Sequence, residues 1–212
     1  MKRILLFALA ASLLLAGCSG GGNESASSTN GVDAITNIMN RKSVRSFTGE
    51  KLSQEQIETL LKAGMAAPSG MNAQPWRFVV LNDPAVIADV FAGERGEMYK
   101  QAGAVIIVCG QTTVMQRPRG QENAEPQEVP NQFWFEDCGA CTENILLAAE
   151  AMGLGGVWIG CYPIQARMEN LIAKLGIPEN VTPFAILPIG YPAGNDQPKD
   201  KWKPENVHYN KW

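Results

Sequence analysis

The sequence has few of the residues that build metal sites. Its 212 residues include a single histidine, His208, and Cys138 and Cys141 form its single C-x-x-C pair. A structural zinc site takes about four such ligands and no second pair completes one, so the sequence predicts no metal. The two thiols are explained more simply as small buried helix residues, and a redox pair is the alternative that the sequence leaves open.

The sequence also lacks a strong net charge and any internal repeat. Its 18 basic and 21 acidic residues give a formal net charge of −3. Because nucleic-acid binding needs a basic surface, this balance predicts no nucleic-acid partner. The length is typical of one domain, and a hydrophobic share of 45% is enough to form a core.

Long apolar runs are absent except at the amino terminus, where Lys2 and Arg3 precede an apolar stretch at residues 4–15. This stretch is shorter than the roughly 20 residues of a membrane-spanning helix, and small residues follow it, which is typical of a secretory signal. It ends in Leu15-Ala16-Gly17-Cys18, which resembles the lipobox of bacterial lipoproteins. The resemblance implies cleavage before Cys18 and lipidation of its thiol. An ordinary signal peptide with a chance cysteine is the alternative.

These features divide the chain into a signal peptide at 1–17, a flexible tether at 18–31 and a folded domain at 32–212. The tether is rich in glycine, serine and asparagine and has no apolar period, so we expect it not to pack. Several acyl chains on Cys18 would hold the domain durably at a membrane surface. The sequence therefore predicts an exported lipoprotein anchored to a membrane of the bacterial cell envelope.

The folded part alternates between helix-like and strand-like patterns. Ser53 and Gln56 form a capping box, and Asp83-Pro84 is a typical helix start. Apolar runs predict strands covered on both faces at 76–81, 104–109 and 184–190, and a short strand within 153–160. Apolar spacing predicts helices at 33–40, 53–65, 84–92, 136–152 and 163–175. The irregular alternation predicts an α+β fold with a central mixed β-sheet flanked by helices.

Two stretches lack a regular pattern. Residues 111–132 are polar and aperiodic, which in a compact domain indicates a functional loop or disorder. They end in Phe133-Trp134-Phe135, three consecutive aromatic residues that suit either an interface or a lid over a flat ligand. The tail from Tyr191 is rich in proline and lysine, and we expect it to be extended and to lie on another surface.

Four stretches are unusual for reasons beyond packing. They are the basic cluster Arg41-Lys42-Ser43-Val44-Arg45-Ser46-Phe47, the turn at 68–76, the glycine-rich strand at 155–161 and the basic segment at 199–204. The basic cluster contains the motif R-x-S-x-R-x-F, and the turn contains P-S-x-x-N-x-Q-P-W. The glycine-rich strand overlaps the motif G-x-G-G-x-W-I-G at 153–160. In this order and spacing they resemble the FMN-dependent nitroreductase family, and the resemblance covers the chain from about residue 33 to its end.

The resemblance implies an FMN site that has a phosphate-binding part. In the family, the basic cluster and a basic pair near the C-terminus clamp the phosphate. The matching residues here are Arg41, Lys42, Ser43, Lys201 and Lys203. A planar guanidinium fork combined with point charges suits a dianionic phosphate.

The resemblance also implies which residues surround the flavin ring. Arg45 matches a position beside the N1–C2 edge, where a fixed cation stabilises the reduced ring and raises its potential. Backbone N–H groups of the turn at Gly160 and Cys161 match those that face N5 and O4. The other cofactor-binding residues implied are Trp158, Ile159, Asn72 and Gln74, together with Pro68, Ser69 and Gly70 from the partner subunit. No side-chain acid or base is implied, because the flavin carries the redox chemistry.

The resemblance further implies an intertwined homodimer with an extended C-terminal tail that works by ping-pong transfer. NAD(P)H or another donor reduces FMN, and a nitroaromatic, quinone or similar small aromatic acceptor reoxidises it. Phe133 and Trp134 match the substrate-covering segment, so we expect them to contact the acceptor.

The sequence leaves two alternatives open. One is a more specialised flavin reaction of the same fold, such as reductive dehalogenation or flavin fragmentation. The other is a surface flavin-binding redox partner that has no organic substrate of its own. Family members typically take electrons from cytoplasmic NAD(P)H, so the predicted export leaves the physiological donor open.

Overall fold

The structure, a computed structural model, describes residues 33–93, 96–118, 120–121 and 123–212. The predicted signal peptide, Cys18 and the tether lie outside the described residues and stay predictions. No helix within the described ranges is long and apolar enough to cross a membrane.

The described residues form six α-helices and seven β-strands. The helices are α1 Ala34–Asn40, α2 Gln54–Met65, α3 Pro84–Val90, α4 Gly96–Gln101, α5 Trp134–Ala151 and α6 Gln165–Leu175. The strands are β1 Trp76–Leu81, β2 Ala104–Gln111, β3 Thr113–Gln116, β4 Gln127–Pro130, β5 Gly155–Gly156, β6 Ile159–Gly160 and β7 Val181–Gly190. Each predicted helix and strand is present, β1 with the predicted bounds and the others with shifted ends. The short strand predicted within 153–160 is divided into β5 and β6, and α4, β3 and β4 were not predicted.

A five-stranded sheet has the order β1-β2-β7-β5, and β6 also pairs with β7. The α+β class is confirmed, but the sheet is not mixed, because all of these strand pairs are antiparallel. The parallel pairing within the described residues is an isolated bridge between Ser43 and Gly156. The continuous apolar strands have the predicted cause, because helices cover both faces of the sheet.

The side chains of β2 alternate between two hydrophobic cores. Ile106 and Val108 belong to a core shared with α2 and α5. Val105 and Ile107 belong to a second core shared with α3 and α6. Because successive strand residues point to opposite faces, a fully apolar strand stabilises both layers of helices at once.

Two predicted helix starts are confirmed by hydrogen bonds. Ser53 Oγ accepts from the Gln56 N–H at 3.1 Å, and Gln56 Oε1 accepts from the Ser53 N–H at 2.9 Å, which completes the capping box of α2. Asp83 Oδ1 accepts from the Ala85 N–H at 2.8 Å at the start of α3. These bonds join near neighbours in the chain, so the local sequence is sufficient to form them.

The segment at 111–132 differs from the predicted irregular loop. Its strands β3 and β4 form an antiparallel hairpin that pairs Val114 with Val129. Most of the hairpin is exposed on both faces, so the polar and apolar residues do not alternate as they do in a half-buried strand. The prediction of an irregular loop was wrong for residues 113–116 and 127–130. Backbone hydrogen bonds form this hairpin, and because few of its side chains are buried, its sequence has no alternating apolar pattern.

Large apolar side chains are exposed on α1 and on the C-terminal tail. Ile35, Ile38 and Met39 of α1 are exposed, and Trp202 and Trp212 of the tail are 71% and 98% exposed. Soluble monomers seldom expose extensive apolar surface unless it serves an interaction. These two segments therefore have the character of an interface.

Candidate functional site

Backbone pairing brings the basic cluster at 41–47 beside the glycine-rich strands. Ser43 bridges to Gly156, and the Val44 N–H donates to the Gly156 carbonyl at 3.0 Å. Val44 is fully buried against Gly155, where an added Cβ would lie 2.5 Å from Val44 Cγ2. A residue with a side chain would therefore push the two segments apart. Two motifs that are distant in sequence thus share one surface.

Two cations of this cluster pair with carboxylates of α5. Arg41 Nε lies 2.9 Å from Glu143 Oε1, and Lys42 Nζ lies 3.0 Å from Glu150 Oε1. Arg41 also lines a cleft of about 590 Å³, which we call the basic cleft. Lys42 does not line this cleft, so its predicted contact with the phosphate stays a prediction.

The basic cleft joins Arg41 to the C-terminal tail. Lys199 and Lys201 of the tail line it, and Glu143 forms part of its wall. Lys203 is exposed and lies outside the lining. The structure therefore brings Arg41 and Lys201 together, as the phosphate prediction requires, but leaves Lys203 apart.

A second cavity, of about 490 Å³, connects the basic cluster to β6, and we call it the Arg45 cavity. It brings together Arg45, Trp158, Ile159 and Gly160, which were predicted to surround the ring. Arg45 is exposed and makes no hydrogen bond or ion pair with the described part of the chain. The complete lining is Arg45, Glu97, Met98, Val157, Trp158, Ile159, Gly160 and Arg167.

The hydrogen bonds of β6 determine which backbone amide a ligand can reach. The Cys161 N–H donates to the Phe184 carbonyl at 2.9 Å, so the prediction that this amide faces the ring is wrong. Bonded and non-bonded positions alternate along antiparallel strands, so Gly160, opposite Ala185, directs its N–H and C=O away from β7. Arg167 Nη1 donates to the Gly160 carbonyl at 2.6 Å. The Gly160 N–H is therefore the amide available at the Arg45 cavity.

The loop at 68–75 has a strained backbone conformation. Met71, Asn72 and Gln74 have φ angles of 50°, 56° and 48°, a region that residues with side chains rarely adopt. Ser69 Oγ accepts from the Gln74 N–H at 3.1 Å, and Gln74 Nε2 donates to Asn72 Oδ1 at 2.8 Å. Strain that is maintained by surrounding bonds is typical of functional loops.

A buried carboxylate of α5 supports this loop. Asp137 Oδ1 accepts from the Gly70 N–H at 2.9 Å, whereas Asp137 Oδ2 is buried with no partner among the described residues. Asp137 lies in the first turn of α5, where the helix dipole favours a negative charge. Its hydrogen bond to Gly70 connects the central helix to the loop.

The loop at 68–75 and the Arg45 cavity lie at opposite edges of the sheet. The loop leads into the edge strand β1, whereas β5 and β6 pair on the far side of β7. Three strand spacings of about 4.8 Å separate these edges by roughly 14 Å. Neither the basic cleft nor the Arg45 cavity is lined by the predicted loop residues Pro68, Ser69, Gly70, Asn72 and Gln74. A single chain therefore does not bring this group to the rest of the site.

The three consecutive aromatic residues have different environments. Trp134 is only 8% exposed and packs in the first core against Gly110, which has no side chain to block the indole. Because α5 begins at this residue and turns the indole inward, the structure does not support the contact of Trp134 with the acceptor, which stays a prediction. Phe133 is exposed and lines a cavity of about 280 Å³ together with Met71, so its contact with an acceptor stays a prediction.

The cysteines of the described chain are free and buried. Burial raises the pKa of the Cys141 thiol to about 12 and that of the Cys161 thiol to about 11. Burial, followed by the neighbouring Cys141, also raises the pKa of Cys138. Thiols that stay protonated at neutral pH react poorly, which favours a packing role for Cys138 and Cys141 over a redox role.

Arg167 is a site residue that the sequence analysis missed. It stands in the first turn of α6, a position where the positive end of the helix dipole disfavours a cation. This unfavourable placement is a signal that could have identified it. Glu97 and Met98 were missed because α4 was not predicted.

Replacing Asp137 tests whether this carboxylate supports the loop. Asp137→Ala removes the acceptor of the Gly70 N–H and should lower the free energy of unfolding in urea by about 1–3 kcal/mol. Hydrogen exchange of the Gly70 amide should become faster. Asp137→Asn is the matched control, because its amide oxygen still accepts the bond. Unchanged exchange at Gly70 in the alanine variant would contradict this role.

Comparison with known proteins identifies the family. The nitroreductase family model matches residues 38–98 and 91–191. A provisionally named NADH dehydrogenase/NAD(P)H nitroreductase of Archaeoglobus fulgidus is 38% identical over 85% of this chain and 99% of its own length. An FMN reductase (NADPH) of Bacillus subtilis is 28% identical over 84% of this chain and 73% of its length. A crystal structure of a provisionally named NADH dehydrogenase/NAD(P)H nitroreductase from Bacteroides thetaiotaomicron superposes with a TM-score of 0.74 at 40% identity, covering 86% of this chain and 99% of that one. The chain belongs to the nitroreductase family.

Proposed function

We propose that this protein is an FMN-dependent oxidoreductase that passes electrons from NAD(P)H or another donor to a nitroaromatic, quinone or similar acceptor. The observation that carries this proposal is the Arg45 cavity, where a guanidinium, the Gly160 amide and the indole of Trp158 line one space. Relatives named NAD(P)H nitroreductase and FMN reductase support the donor class and the cofactor.

The chemistry of the lining residues fits FMN, which has a phosphate at one end and a flat ring at the other. The basic cleft offers Arg41 and Lys201, and the Arg45 cavity offers one cation, one amide and an aromatic surface. The segment from Arg41 to Arg45 connects the two, and at about 3.3 Å per extended residue its ends lie roughly 13 Å apart. An elongated ligand with an anionic end suits this arrangement.

The ion pair of Arg41 prepares it to bind a phosphate. Glu143 engages Nε of Arg41, which leaves the terminal nitrogens of the guanidinium for phosphate oxygens. Lys201 adds a charge from the tail. Ser43 and Lys203 do not line the basic cleft, so their contacts with the phosphate stay predictions.

FMN, when bound, supplies the redox chemistry by taking two electrons from the donor and passing them to the acceptor. With a quinone as acceptor, NAD(P)H and a proton are consumed and NAD(P)⁺ and a hydroquinone are formed. When the ring is bound, the charge of Arg45 would favour its reduced, electron-rich form, and the Gly160 N–H would orient it. We assign no acid or base side chain, because protons can come from water.

We propose that two chains form an intertwined homodimer in which the loop at 68–75 of one chain completes the site of the other. The loop and the Arg45 cavity of one chain lie at opposite edges of the sheet, which supports this proposal. Exposed Ile38 and Trp202 also line the basic cleft, so a second copy would cover apolar surface there. In such a dimer Asn72 and Gln74 would reach the ring of the partner's cofactor.

We further propose that the domain is exported and held at a membrane through lipidated Cys18. The support is the sequence of residues 1–18, with its basic start, apolar stretch and lipobox-like end. Cytoplasmic NAD(P)H does not reach an exported domain, so an electron source close to the membrane is the alternative donor.

The absorbance spectrum and a donor screen test the proposed function. We expect the domain purified from residue 31 onward to be yellow with bound FMN, and to oxidise NAD(P)H in the presence of menadione or a nitroaromatic compound. Halide release from a halogenated aromatic would favour the dehalogenation alternative, and bound FMN without turnover would favour a redox-partner protein. A colourless protein that cannot be reconstituted with FMN would overturn all three.

Mixed dimers test whether the loop acts in the partner's site. One variant, Asn72→Ala with Gln74→Ala, impairs the loop, and another, Arg41→Ala with Lys201→Ala, impairs the phosphate contacts. Each variant alone should bind FMN poorly, whereas the purified heterodimer should regain one intact site, measured as FMN bound per dimer. Heterodimers of each variant with the wild-type chain are the controls. A heterodimer as poor as its parents would contradict the exchange of loops.

Replacing Cys18 tests the anchor. Cys18→Ser should abolish labelling by a radioactive fatty acid and release the protein from the membrane fraction, because the acyl chains supply the membrane affinity. Ser19→Ala, which keeps the thiol, should behave as the wild type. Absence of label on the wild-type protein in its own host would refute lipidation.

A further inference from the structure

We propose that Arg167 is a second fixed cation of the flavin site, which positions the Gly160 amide and raises the potential of the bound cofactor. This inference rests on the proposed FMN site. It assigns a role to a residue that lies in none of the motifs of the sequence analysis.

The contact between Arg167 and Gly160 fixes the backbone at the centre of the Arg45 cavity. Arg167 Nη1 donates to the Gly160 carbonyl at 2.6 Å. The next peptide N–H, that of Cys161, donates to the Phe184 carbonyl at 2.9 Å, so the Gly160–Cys161 peptide is held on both sides. An added Cβ at Gly160 would meet no atom within 4 Å, which leaves the space above this backbone open to a ligand.

The charges around the cavity favour an electron-rich occupant. Its carboxylate, Glu97, forms an ion pair with the ammonium group of Lys100 at 3.1 Å. Arg167 donates only to a neutral carbonyl, and Arg45 has no partner among the residues described. Two guanidinium groups therefore keep their charge at one cavity, beside the positive N-terminal end of α6.

The hydrogen bond from Arg167 to the Gly160 carbonyl oxygen would change the electrostatic potential at a reduced ring. A bare carbonyl oxygen beside an electron-rich ring is repulsive, whereas an oxygen that accepts from a guanidinium is partly neutralised. Arg167 is exposed in the open cavity, but a flat ring over the cavity would exclude water and strengthen its effect. Burial raises the pKa of the adjacent Cys161 thiol and Arg167 acts in the opposite direction, so the field of Arg167 reaches this peptide.

The midpoint potential of bound FMN tests the role of Arg167. Arg167→Gln should reduce the preference for reduced over oxidised FMN about tenfold, which is a fall of about 30 mV for a two-electron couple. Arg167→Lys keeps the positive charge, so the potential of its bound FMN should fall by less. Lys174→Gln is the matched control, because it removes a cation of the same helix that pairs with Asp89 at 2.7 Å outside the cavity. Its potential should equal that of the wild type.

The outcomes separate this inference from the proposed function. If both Arg167 variants bind FMN and keep the wild-type potential, Arg167 does not tune the cofactor, and the proposed function stands. If Arg167→Gln is poorly folded by circular dichroism, a wild-type potential in Arg167→Lys together with a fall in Arg167→Ala supports the inference. An equal fall in Lys174→Gln overturns it, because a general loss of charge would then explain the shift. A wild-type protein without FMN overturns the proposed function itself.

Discussion

The pairing of Ser43 with Gly156 is the contact on which the arrangement of the site depends. It aligns the basic cluster beside the end of the sheet and so brings Arg45 to the same cavity as Gly160. The pairing is close because Gly155 has no side chain and Val44 fills that space. If the two segments moved apart, the cations and the backbone amide would no longer face one ligand, although each motif would still be present in the chain.

Helix α5 organises the remaining parts of the site. Its Asp137 holds the loop at 68–75, and its Glu143 and Glu150 engage Arg41 and Lys42 of the basic cluster. The same helix packs against the sheet through the first core. A single buried helix thus connects a loop at one edge of the sheet to cations near the other edge. We infer that the helix keeps the geometry of two distant half-sites constant, which matters if they belong to different active sites of a dimer.

Most elements of the fold could be predicted from the sequence because their causes are local. The capping box at Ser53 forms between neighbouring residues, so its residues are recognisable in the sequence. The strands are buried along their length, so they appear as apolar runs. The antiparallel sheet could not be distinguished from a mixed one, because burial on both faces produces the same apolar run in either direction. The hairpin of β3 and β4 left no pattern because it is mostly exposed. The sequence predicted that Trp134 covers the ligand, whereas in the structure α5 begins at this residue and its side chain packs in the core.

The sequence by itself determined the family and the types of side chain at the site, since short motifs retain the residues that a phosphate and a flat ring require. Only the tertiary structure decided which of these groups are available. Arg41 lines the basic cleft and Lys42 does not, the amide of Cys161 is bonded within the sheet, and Arg167 enters the cavity from a helix outside the motifs. The reason is physical: a motif specifies the chemical type of a group, whereas its partners, which come from distant segments, determine whether that group remains free to bind a ligand.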